Sequence, residues 1–196
     1  MYIKEFNVIY TEKKTDEYRL YICKKSLENQ LYRIFELADR NKITEYIKYF
    51  NSLNFKDFYG DFSIDEKYYI VFKHPDGIIA GDSDWKKLSA KDIVKALVLQ
   101  NPPIEIAVPM LSFKNIFVYE KEIRFAYVLP MLDNRACKGL LEEKLADIID
   151  LIWSEHRTPE AKRWLDSLRR GKFSHLVIAL KYMPENEKAI PECKSE

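Results

Sequence analysis

Few residues of this chain are spaced for chemistry. The histidines are His74, His156 and His175, and none stands at ligand spacing from a cysteine or a second histidine, so no metal site is expected. Cys23, Cys137 and Cys193 are far apart and form no CxxC pair. They read as reduced thiols of a reducing cytoplasm. The GxSxG, Walker A and HExxH patterns are absent. Ser112 and Ser174 have no adjacent base in the sequence. Asp82-Ser83-Asp84 and the pair Asp147 and Asp150 could bring carboxylates together, although a solvated acidic turn and a helix face also account for them. Lys162, Arg163, Arg169, Arg170 and Lys172 complement the C-terminal end of a helix, and secondarily form a patch for an acidic partner. Phe55, Phe58, Tyr59, Phe62, Tyr68, Tyr69 and Phe72 alternate along a hairpin pattern. One face of that hairpin is core. The other is expected to expose Tyr59, Tyr68 and Tyr69 as a surface for a protein partner.

The bulk numbers bound what these residues can belong to. The chain has 196 residues, 47% hydrophobic and 32% charged, enough for one domain with its own core. Basic residues number 32 and acidic residues 31, without the basic excess of a general nucleic-acid binder. Only 5 glycines leave few places for backbone to cradle phosphates. The abundance of Lys and Tyr fits a low-GC bacterial source. No apolar run reaches the ~20 residues that span a bilayer, and MYIKEFNVIY lacks a signal-peptide pattern. A soluble, cytoplasmic chain is expected, with no membrane span.

The elements that position these residues follow from pattern. Residues 2–10 and 18–24 read as strands, and 26–50 as a long helical segment with a break near Asp39 and Asn41. Two more strands, 55–62 and 67–74, form a hairpin, and HPDG (74–77) is a turn. Ser89 caps a short helix that ends at Asn101-Pro-Pro103. Residues 104–118 and 122–129 read as short strands about the turn 119–122. Helices follow over 140–153, from Thr158-Pro159 to Gly171, and over 174–182. The expectation is an α+β domain over 1–183, β-rich over 1–74 and mostly helical over 75–183, with a polar tail at 184–196.

That order of elements resembles a protein kinase, a two-lobed α+β fold. RLYICKK (19–25) resembles the strand with the Val-Ala-Ile-Lys pattern, which places Lys24 as its lysine and Glu45 as the helix glutamate that pairs with it. KYYIVFKHPDG resembles the strand entering the hinge. Asn115-Ile116-Phe117-Val118 matches the Asn-Ile-Leu-Val of the catalytic loop. The resemblance covers roughly 15–155. LSFKNIFV and FAYVLP are also similar to the cytosolic pseudokinase domain of the type VII secretion membrane subunit, without the transmembrane helix that follows it there.

The departures concern the acids. Met110 stands where the resemblance places the catalytic Asp, and Ala126 stands where it places the metal-binding Asp of Asp-Phe-Gly. Neither side chain accepts a proton or ligates a hard cation. The first 18 residues contain no glycine, so no Gly-rich loop can cover phosphates. What the resemblance implies is therefore a non-catalytic, kinase-like interaction or scaffold module, with Lys24, Glu45 and Asn115 as remnants, no cofactor and a protein partner. Two other readings stay open. One is an enzyme of another class, with Asp82, Asp84 or His74 in a site formed only in three dimensions. The other is an unrelated α+β structural protein.

Overall fold

The computed structural model describes residues 1–51, 55, 57–80, 88–120, 122–133 and 135–185. The N-terminal half is one antiparallel sheet of β1 (Tyr2–Ile3), β2 (Phe6–Lys14), β3 (Tyr18–Lys25), β4 (Leu31–Leu37), β5 (Phe58–Ile64) and β6 (Lys67–Lys73). Its order is β1-β2-β3-β4-β6-β5, and helix α1 (Arg40–Phe50) interrupts the chain between β4 and β5. The sheet curls until its two sides meet. Phe6 of β2 lies 5.7 Å from Tyr59 and 6.5 Å from Phe62 of β5. Lys25 ties the same seam, pairing with Glu5 at 2.9 Å and donating to the Tyr59 hydroxyl.

The long helix expected over 26–50 is half strand. Residues 31–37 form β4, which lies between β3 and β6 and is buried on both faces. A strand covered on both sides shows no alternation, so its apolar run reads equally well at helical spacing. Leu27, which fits that helical stripe, is fully exposed in the preceding turn. Asp39 then caps α1 through the Asn41 N–H.

The second half begins with β7 (Ile78–Ile79), α2 (Ala90–Gln100) and α3 (Ile104–Met110), followed by a 3₁₀ turn (Phe113–Asn115). Next come β8 (Ile116–Tyr119), β9 (Glu122–Phe125), α4 (Lys138–Ile152), α5 (Pro159–Arg169) and α6 (Leu176–Lys181). The strands form a small sheet, β7-β8-β9. Gly77 sets β7 against β8: its φ is +112°, and a Cβ there would sit 2.4 Å from the Val118 carbonyl oxygen. The caps expected at Ser89 and Thr158 are in place, accepting from Asp92 N and Ala161 N at 3.3 and 3.1 Å.

Residues 104–110 are a helix, not the strand that Ile-Glu-Ile-Ala-Val suggests. Seven residues are too few to separate the two periods. Pro109 lies inside α3 and cannot bond the Glu105 carbonyl. The Met131 N–H takes that carbonyl instead, at 2.8 Å. One core runs from one face of the sheet (Phe35, Ile70, Phe72) and from Phe50 of α1 into the helical half (Ile93, Ile106, Leu145, Leu165), and a second lies on the sheet's other face (Phe6, Tyr21, Tyr32, Ile34, Val71). Among the described residues no helix is long and apolar enough to cross a membrane.

Candidate functional site

Met110, Asn115 and Ala126 come together where the helical half meets the sheet. Met110 ends α3 and is fully buried. Asn115 closes the 3₁₀ turn, and its side-chain amide donates to the Met110 carbonyl at 3.2 Å. The Ala126 N–H donates to the Asn115 carbonyl at 2.7 Å. Two hydrogen bonds therefore join the three positions, and the side chains presented are a thioether, an amide already engaged with backbone, and a methyl. Hard divalent cations take oxygen ligands, and general-base catalysis needs a titratable group. Among the described residues no group of three or more His, Cys, Asp or Glu is placed to hold a metal.

Lys24 and Glu45 do not meet. Lys24 lies on β3 opposite Leu31, at the far end of β4 from α1. Six residues of strand, about 20 Å, separate that end from the end that leads into the helix. Glu45 is exposed on α1, and no ion pair joins it to Lys24 among the described residues. The strand that feeds α1 is β4, and its cation is Arg33.

Arg33 is 2% exposed and sits in a cross-strand row between Ile22 and Phe72. Its Nη1 lies 3.2 Å from a Glu12 carboxylate oxygen of β2, and among the described residues neither Nη1 nor Nε has a hydrogen-bond partner. Burial pulls its pKa below the ordinary value, and Glu12 opposes that pull.

Beside Arg33 the junction is filled with rings. Phe72 and Tyr127 stack at 5.5 Å with an interplanar angle of 11°, and Phe55 packs 5.2 Å from Tyr127. Phe35 meets Phe72 edge-on at 5.9 Å. The Tyr127 pKa is raised by burial. Among the described residues a cavity of about 40 Å³ is bordered there by Gln30, His74, Gln100 and Tyr127. Small-molecule sites are commonly about 300–1,000 Å³.

The tyrosines expected as an exposed surface divide. Tyr59, on the outer strand β5, is 41% exposed. Tyr68 and Tyr69 are buried, because β6 lies between β4 and β5 and has both faces covered. Their hydroxyls bond Asp61 at 2.7 Å and the buried Glu36 at 3.1 Å. The basic cluster is partly spent on structure: Arg169 bonds Asp147 and Asp150 of α4 at 2.9 and 3.0 Å. Asp82 and Asp84 lie outside the described residues.

Gln100 holds the strand that delivers Ala126. Its carboxamide accepts from Phe125 N at 2.7 Å and donates to Phe125 O at 3.0 Å. Truncation to Ala leaves two backbone groups of a buried residue unpaired. Gln100→Ala is expected to lower stability by about 2 kcal/mol in urea denaturation.

His74 is buried beside Phe117 and donates Nδ1–H to the Pro75 carbonyl at 2.6 Å. Burial lowers its pKa, and Arg33 acts in the same direction, against the Pro75 bond. The unfolded chain therefore binds this proton more tightly than the folded chain. The stabilisation is complete above the unfolded value of about 6.5 and is lost as pH falls below it, by at most about 1.4 kcal/mol per pH unit. Urea titrations between pH 5 and 7 should show this slope, and His74→Gln should flatten it.

Protein kinases share this architecture. The chain superposes on a structure of Rad53 residues 1–466 in complex with AMP-PNP with a TM-score of 0.63 at 12% identity, covering 91% of this chain and 65% of that one. It superposes on the Mycobacterium tuberculosis PknI kinase domain with a TM-score of 0.58 at 10% identity, covering 95% and 98%. No protein-family model and no curated protein matches the sequence. The fold is kinase-like α+β, with a curled antiparallel sheet in the N-terminal half and helices in the C-terminal half.

Proposed function

We propose that this chain is a non-catalytic, kinase-like module that works by binding a protein partner. One observation supports the reading: two hydrogen bonds join Met110, Asn115 and Ala126, and the sequence resemblance assigns Met110 and Ala126 to the positions where phosphoryl transfer needs a base and a metal ligand. Two features of the junction support it. The Phe72–Tyr127 stack occupies the space between sheet and helices. Glu12 supplies the anion for Arg33 that a nucleotide phosphate would otherwise supply. The remnants differ from those expected, with Arg33 in place of Lys24 and Glu12 as its partner in place of Glu45. Residues 1–183 act as one unit in this reading, in a bacterial cytoplasm. The type VII secretion pseudokinase is the proposed relative, on the strength of LSFKNIFV and FAYVLP.

Thermal melting with millimolar Mg-ATP tests the cleft. No rise in melting temperature is expected, because a ligand stabilises only the state it binds. A rise of several degrees that Arg33→Met removes would sink the claim that the cleft is closed.

A further inference from the structure

The small sheet has an open edge, and the ladder shows which groups face out from it. Tyr119 pairs with Glu122, Val118 with Ile123, Phe117 with Arg124 and Ile116 with Phe125. In an antiparallel pair the residues alternate between bonding across the ladder and pointing away from it. Phe125 points away, since Gln100 takes both its N–H and its carbonyl. Ile123, two residues earlier, aims the same two groups the same way, and among the described residues neither has a partner.

These groups face a groove of about 350 Å³ between β9 and α2, walled by Asp92, Lys95, Ala96 and Leu99 with Asp57 at its edge. Leu99 is 71% exposed, unusual for an apolar side chain beside an open strand edge. We propose that this groove docks an extended peptide segment of a protein partner, added as a strand to β9 through Ile123. The segment places an apolar residue against Leu99 and Ala96, and a basic residue toward Asp57 and Asp92.

The structure itself indicates the occupant. The Gln100 carboxamide is chemically a peptide group, and it already satisfies this edge one position along. Charge selects further. The groove is lined by Asp57, Asp92 and Glu122 against Lys95 and Arg124, and Arg124 pairs with Glu122 at 3.1 Å, so the lining has an acidic excess. A second copy of this chain would bring the same acids back against themselves, so a foreign basic segment fits better. This inference rests on the reading of the chain as an interaction module, and a different assay, phosphotransfer, decides that reading.

The test is an NMR titration of the ¹⁵N-labelled full chain with the capped peptide acetyl-Lys-Val-Leu-Val-Lys-amide. Saturable shifts at the Ile123 amide and the Gln100 side-chain amide are expected. Methylating the central Leu nitrogen should weaken binding about tenfold, through loss of one edge hydrogen bond. Ile123→Pro should do the same, and Ile123→Ala, which loses the same core packing but keeps the outward N–H, should retain the affinity. Replacing both lysines with glutamates should weaken binding further. The proposal is overturned if the shifts lie elsewhere or are absent at millimolar peptide. It is equally overturned if N-methylation and Ile123→Pro both leave the affinity unchanged, or if the edge instead forms a dimer that Ile123→Pro abolishes.

Discussion

Replacing Glu12 with Ala is expected to lower the unfolding free energy by about 3 kcal/mol, far more than an exposed ion pair contributes. The reason is the asymmetry of the pair. The Arg33 side chain is 3% exposed and the Glu12 side chain 29% exposed. Removing Glu12 strands a guanidinium away from water, with Nε already unsatisfied. Removing Arg33 leaves a carboxylate that can turn toward solvent. Arg33→Met should therefore cost less than Glu12→Ala, and Glu12→Leu with Arg33→Met should recover most of the loss, because well-packed apolar side chains replace buried pairs at little cost. Urea denaturation of the wild type and the three variants measures all of this. Equal losses in the two single variants would show that the pair is not the buried lock described above.

Phe72→Ala is expected to cost about 4 kcal/mol. The ring is fully buried and meets Phe35, Phe50, Phe55, Phe58 and Tyr127 within 6.0 Å. It belongs to the sheet, while Tyr127 follows β9, so its loss loosens the seam between the two halves. Tyr127→Ala should destabilise comparably. The double variant should lose less than the sum, because both substitutions empty the same space. Strict additivity in denaturation would mean the two rings stabilise separate regions.

Local signals in the sequence were legible. Ser89, Thr158-Pro159 and Gly77 each act through their own backbone, so caps and turns could be placed without tertiary knowledge. The β5–β6 hairpin was legible for the same reason. The closeness of Met110, Asn115 and Ala126 was legible because all three fall within one short run that includes a hairpin pairing with itself. What failed depended on neighbours distant in the chain. β4 lost its alternation because β3 and β6 cover it, and with it went the burial of Arg33. Tyr68 and Tyr69 were misplaced because the sequence does not reveal that β6, second in its hairpin, lies inside the sheet. Gln100 gave no sign at all: its partner is backbone 25 residues away.

The central claim is a kinase scaffold without kinase chemistry, and phosphotransfer tests it most directly. The chain is incubated with γ-labelled ATP and Mg²⁺ or Mn²⁺, alone and with a generic protein substrate. Label transferred to either protein should not exceed that of a heat-denatured control. Transfer that rises with chain concentration and disappears in Asn115→Ala would contradict the account, because that amide would then be serving a metal and not the Met110 carbonyl.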